Sequence, residues 1–154
     1  MILTLVGTNP YSFERLVATI DHLAAEKQWE VFVQLGNTPY EPVNCVFERF
    51  VDKDIILKKM EEAEVIICHG GFGSIRDALA TGKVPVVVPR MPEKSECNDY
   101  QVELVKELEE EGRIIAVYDI NDLAAAIEKA PQTRYVGGEG NRIPGIIQNF
   151  IGQF

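Results

Sequence analysis

The segment Cys68-His69-Gly70-Gly71-Phe72-Gly73-Ser74 sets three glycines between an apolar run and a helical pattern. Small residues at such a junction let backbone N–H groups approach an anion, and the amino end of the following helix adds positive dipole. The chemistry this allows is phosphate binding. The same glycines would also serve a tight strand-to-helix turn with no ligand, so the cluster alone leaves both readings open. Asp77 falls within the first turn or two of the helix, where a carboxylate could accept hydrogen bonds from ribose hydroxyls or simply favour a helix start. His69 could donate to a diphosphate, and a histidine at a strand end is also often structural. Arg90 could offset phosphate charge or pair with Glu93 or Glu96.

Several familiar chemistries do not fit. There is no GxxxxGK[ST], and Arg76 occupies the last position of a GxGxxG register. A dinucleotide-binding dehydrogenase needs an acidic residue at the end of the next strand, where Pro89-Arg90 stands instead. The only histidines are His22 and His69, with no HExxH pair, and Cys45, Cys68 and Cys97 show no CxxC spacing, so neither a protein-built metal centre nor a disulfide framework is expected. A formal net charge of −9 argues against general affinity for nucleic acid or anionic lipid. The absence of a long apolar run and of a basic amino-terminal region leads to the expectation of a cytoplasmic chain.

Such a glycine loop must be carried by strands alternating with helices. Apolar, β-rich runs occur at Ile2–Val6, Val31–Leu35, near Cys45–Phe47, and at Val65–Cys68, Val84–Val88 and Ile114–Val117. Between them, Phe13, Leu16, Val17, Ile20, Leu23 and Ala24 form a helical stripe. Further helices are expected over about Ile55–Glu62, after the glycine loop through Leu79, around Tyr100–Leu108 and over Asn121–Lys129. This alternation predicts an α/β fold: a single Rossmann-like domain, residues 1–154, with a parallel sheet flanked by helices. Local flexibility is expected at Gly137–Gly140 from its glycines, and the spacing of Ile143, Ile146, Ile147, Phe150, Ile151 and Phe154 predicts a final apolar helical stripe for the chain's own core or a partner.

The ordered set His69-Gly70-Gly71, Gly73, Ser74-Ile75, Asp77-Ala78-Leu79, Gly82-Lys83, Pro85 and Val87-Val88-Pro89-Arg90, followed by Asn98-Asp99-Tyr100-Gln101, resembles the C-terminal half of glycosyltransferase family 28. Gly7-Thr8-Asn9-Pro10-Tyr11-Ser12-Phe13-Glu14-Arg15-Leu16-Val17 and Val33-Gln34-Leu35-Gly36 are similar to the small subunits of bipartite transferases, the PssE type and the dolichol-pathway GlcNAc-transferase type. The resemblance spans about residues 1–120. It implies one half of a GT-B enzyme, the half that binds a UDP-sugar, with a membrane-anchored partner supplying the half for a lipid-linked acceptor. It implies that Gly7 and Thr8 adjoin the diphosphate together with His69, Gly70, Gly71, Phe72, Gly73 and Ser74. Val51 would lie along the uracil, Asp77 would hold the ribose, and Asn98 and Gln101 would face the sugar. Family context favours His69 as the catalytic donor, while Arg90 keeps both of its readings, phosphate or a neighbouring glutamate.

The implied reaction is an inverting transfer to a polyprenyl-diphosphate-linked acceptor, with the general base on the partner. The UDP-sugar is then a substrate, no cofactor or metal is expected, and the chain lies peripheral to the membrane through its partner. A non-catalytic nucleotide-sugar sensor or scaffold is the alternative. This chain reads Lys94-Ser95-Glu96-Cys97-Asn98-Asp99-Tyr100-Gln101 where PssE-type chains carry histidines, which leaves the sugar open.

Overall fold

The computed structural model describes residues 1–91, Lys94, Glu96 and 101–135. The expectations placed on Asn98, on residues 137–140 and on the stripe from 143 to 154 lie outside the described residues.

Six strands form one sheet: β1 (Ile2–Leu5), β2 (Val31–Gln34), β3 (Val46–Glu48), β4 (Val65–His69), β5 (Val86–Val88) and β6 (Ile115–Ala116). The helices between and after them are α1 (Glu14–Lys27), α2 (Lys53–Glu62), α3 (Phe72–Ala80), α4 (Gln101–Glu110) and α5 (Leu123–Lys129). Every strand pair is parallel, and the order is β3-β2-β1-β4-β5-β6. The chain therefore winds outward from β1 in one direction and, after β3, returns beside β1 to wind outward in the other. The carboxyl ends of β1 and β4 flank the point of reversal, where open α/β sheets present a crevice.

Alternation along the strands builds a core on each face. Ile2, Val33, Ile67 and Val86 pack with Leu16, Val17 and Ile20 of α1 and Leu123 and Ile127 of α5. Leu3, Leu5, Ile66, Cys68 and Val87 pack with Met60 of α2, Ile75 of α3, and Leu104 and Leu108 of α4. Helices on both sides explain why the central strands are apolar at consecutive positions.

Element boundaries shift from expectation for local reasons. The predicted strand Val84–Val88 starts at Val86, because Pro85 has no N–H for the ladder. Its carbonyl still accepts from the Ile115 N–H at 3.0 Å. Helix α1 begins one residue after Phe13, whose N–H donates to Thr38 Oγ1 at 2.9 Å. That bond fixes the direction in which the loop after β1 enters the helix.

Candidate functional site

One wall of the crevice is the loop after β1. Gly7 has φ +91°, a conformation that disfavours a side chain. Gln34, at the end of β2, holds it on both sides: the Gly7 N–H donates to Gln34 Oε1 at 2.9 Å, and Gln34 Nε2 donates to the Gly7 carbonyl at 3.1 Å. The second Nε2 hydrogen goes to the Arg49 carbonyl at 2.9 Å. One carboxamide thus ties the Gly7 loop to the segment entering α2.

The second wall is the junction of β4 and α3. His69 is the last residue of β4 and Phe72 the first of α3, so Phe72, Gly73 and Ser74 belong to the helix's first turn rather than to a loop. Amides in that turn have no carbonyl one helical turn behind them, which makes them donors for a ligand. The His69 imidazole lies between the walls. A Cβ on Gly7 would come within 2.5 Å of His69 Nε2, and one on Gly71 would collide with His69 Cε1. These glycines are required by contact with the imidazole, a stronger constraint than a tight turn alone.

His69 is buried, and its pKa is lowered to about 3 by desolvation and, secondarily, by the Arg90 guanidinium. The ring is neutral at physiological pH. The Gly71 N–H donates to Nδ1 at 3.3 Å, which assigns the ring proton to Nε2 on the Gly7 side. The side chain is therefore a fixed neutral donor.

A cleft of about 500 Å³ opens over this floor, lined among others by Gly7, Thr8, Asn9, Gln34, Phe50, Val51, Lys53, His69, Gly71, Gly73, Ser74 and Asp77. It brings together eight of the residues singled out in the sequence: Gly7, Thr8, Val51, His69, Gly71, Gly73, Ser74 and Asp77. Across it, Lys53 Nζ lies 2.8 Å from Asp77 Oδ2, joining the start of α2 to α3. Gln34, Phe50 and Lys53 were not singled out. Gln34 carried a signal, a polar residue ending an otherwise apolar strand, whereas Phe50 and Lys53 follow a three-residue edge strand with no periodicity of their own.

Four other candidates are outside the cleft lining. Gly70 is buried, and a Cβ there would meet Gln101 Cβ at 2.8 Å and Pro89 Cα at 3.2 Å, so it permits close approach of α4 and the end of β5. Phe72 is partly buried and packs against the core beneath α2, α3 and α4. Gln101 Oε1 accepts from the Arg90 N–H at 3.0 Å.

Arg90 finds acceptors on the backbone. It is fully buried, lies over the Phe13 ring and donates to the carbonyls of Val6, Tyr11, Ser12 and Glu96 at 2.6–3.2 Å. Its guanidinium braces the backbone on either side of Gly7 and Thr8. The Glu96 carboxylate pairs instead with Arg15, at 3.0 Å from both Nε and Nη2. Lys83 is bonded in the same way at another place: its Nζ donates to the carbonyls of Met60, Glu61 and Ala63, closing the carboxyl end of α2.

Among the described residues, no group of three or more His, Cys, Asp or Glu is gathered for a metal ion, and no helix is long and apolar enough to cross a membrane.

Known proteins are similar to this chain in sequence and in fold. The chain is 33% identical over 120 residues to UDP-N-acetylglucosamine transferase subunit ALG13 of Mus musculus, an alignment covering 71% of this chain and 10% of that protein. The chain thus spans about a tenth of the curated relatives it matches. The fold superposes on CalG4, the calicheamicin glycosyltransferase, with a TM-score of 0.65 at 16% identity, over 84% of this chain and 34% of the other. It also superposes on the UDP-GlcNAc 2-epimerase of Methanocaldococcus jannaschii with a TM-score of 0.63 at 12% identity, over 99% and 44% of the two chains. The family model for the glycosyltransferase family 28 C-terminal domain matches residues 1–135, and the chain belongs to that family.

Proposed function

We propose that this chain is the donor-binding half of an inverting glycosyltransferase, taking a UDP-sugar and, with a membrane-anchored partner, passing the sugar to a polyprenyl-diphosphate-linked acceptor. The observation that carries the reading is the convergence of Gly7 and Gly71 on a neutral, buried His69 beside the amino end of α3. The name of the curated relatives, a subunit of a UDP-N-acetylglucosamine transferase, supports both the donor class and the need for a second subunit.

Departure of UDP builds negative charge on the β-phosphate. Donors already fixed around that position stabilise the transition state more than the ground state and need no reorganisation. In this reading the first-turn amides of α3 and the His69 Nε2–H are those donors. With its pKa lowered to about 3, His69 stays neutral, and its one N–H, on Nε2, acts as an oxyanion-type donor. Val51 and Phe50 offer apolar surface to the base, and Asp77 accepts from the ribose hydroxyls. Asn98 and Gln101 are assigned to the sugar side, and the base that activates the acceptor hydroxyl is assigned to the partner.

Calorimetric titration of the purified chain with UDP, UDP-GlcNAc, UDP-glucose and NAD tests the donor assignment. Uridine nucleotides are expected to bind and NAD is not. Failure of every uridine nucleotide, with the chain alone and with its partner, refutes the proposal. Gly71→Val is expected to abolish binding without unfolding the chain, because its side chain would occupy the His69 position. Turnover by the co-expressed pair distinguishes the enzyme from a nucleotide-sugar sensor using the same cleft.

A further inference from the structure

We infer that Lys53 is a nucleotide-phosphate ligand held in reserve by Asp77, and that donor binding transfers its ammonium from that carboxylate to the diphosphate. The inference rests on the UDP-sugar reading and assigns a residue and an exchange within that site. Among the described residues lining the cleft, Lys53 is the one cation. Its ammonium lies 2.8 Å from Asp77 Oδ2, yet its side chain is 61% exposed and that of Asp77 only 17%. The carboxylate is thus fixed in the wall while the ammonium, on a flexible four-carbon stem, stands in the opening.

The geometry places this ammonium near the anion position. Asp77 follows Gly73 by four residues on α3, so the two share a helical face about one turn, roughly 5.4 Å, apart. A Cβ on Gly73 would meet nothing within 4 Å, so the face between them is open. A lysine bonded to Asp77 therefore stands about one turn from the first-turn amides and can reach a phosphate there by rotating its own side chain.

The energetics favour exchange. The ammonium side of the pair is open to solvent, which screens the attraction, so exchanging its partner costs little. Arg76 Nε lies 3.7 Å from the other Asp77 oxygen, so the carboxylate keeps a neighbouring cation when Lys53 turns away, and a diphosphate, which carries more negative charge than one carboxylate, offers the ammonium a charge-assisted bond in its place. Release of Lys53 also leaves Asp77 with acceptor capacity for the ribose hydroxyls, so a single displacement prepares contacts to two parts of the nucleotide.

Lys53→Met tests this, with UDP and uridine each titrated into the unsubstituted chain and the variant, and thermal unfolding as the fold control. Lys53 is the first residue of α2 and exposed, so the variant is expected to fold normally. UDP affinity should fall about tenfold or more, while uridine, which lacks phosphate, should bind equally well or better. Equal UDP affinity in the two proteins overturns the inference. So does an equal loss for UDP and uridine, which would make Lys53 a structural support. No UDP binding by the unsubstituted chain, alone and with its partner, refutes the underlying reading instead.

Discussion

Replacing Gln34 by glutamate is the sharpest test of how the site is built, because it preserves shape while exchanging a two-proton donor for an ionisable acceptor. Gln34 is buried, and its carboxamide makes three bonds: it accepts from the Gly7 N–H and donates to the carbonyls of Gly7 and Arg49. A carboxylate keeps the first and loses both donations. The Gly7 carbonyl is left without its donor, at about 1–3 kcal/mol, whereas the Arg49 carbonyl keeps the Gly36 N–H at 2.8 Å. At about 2–4 °C per kcal/mol for a chain of this size, the melting midpoint should fall by roughly 2–12 °C. The introduced acid, facing two carbonyls, takes up its proton more readily folded than unfolded. Stability then decreases as pH rises, so the deficit should be larger at pH 8 than at pH 5.5. Because the same bonds hold Gly7 at φ +91° beside His69, UDP affinity should also drop more than tenfold. Gln34→Leu, which removes all three bonds, should be no milder in stability or binding. A Gln34→Glu protein melting within about 2 °C of the unsubstituted chain, with unchanged UDP affinity, would refute the clamp.

Two further substitutions read the floor and the brace of the site. The His69 pKa is lowered from the ordinary histidine range to about 3, so an unfolded chain takes up a proton there before the folded one does. Stability from this residue is present above the unfolded pKa and is lost as pH falls toward the folded one. The loss should be about 1.4 kcal/mol between pH 7.5 and 5.5, and urea unfolding should show it reduced by that amount in His69→Gln. Equal pH dependence in the two proteins would contradict a neutral, buried His69. Arg90→Met removes the donors serving the carbonyls of Val6, Tyr11, Ser12 and Glu96. Chemical denaturation should show a loss of at least about 3 kcal/mol, and a loss below about 1 kcal/mol would mean that Arg90 does not brace the Gly7 loop.

The fold was legible because each face of the sheet is covered. Strands buried on both sides must be apolar at consecutive positions, and the amphipathic stripe from Phe13 to Ala24 can pack only on such a sheet. The glycine loop was legible in part. Its glycines are spaced for backbone approach to an anion, but what requires Gly71 is the His69 ring, and that contact follows from how β4 enters α3. Lys53 and Phe50 were hidden for a related reason. They belong to the site because β2 places the edge strand β3 beside it, a long-range pairing with no local signature.

Arg90 and Lys83 show why the partner of a cation near a glycine-rich turn is hard to read from sequence. A guanidinium or ammonium near a glycine-rich turn suits a phosphate, yet it suits equally well a set of backbone carbonyls at the end of a helix or strand, where oxygen lone pairs also converge. Lys83 meets such carbonyls at the end of α2, and Arg90 meets them around the loop after β1. Residue type predicts the need for oxygen acceptors, and only the fold decides whether the ligand or the chain supplies them. By the same logic the cation to follow in ligand binding is Lys53, whose acceptor in the structure is a single carboxylate at the rim of an open cleft.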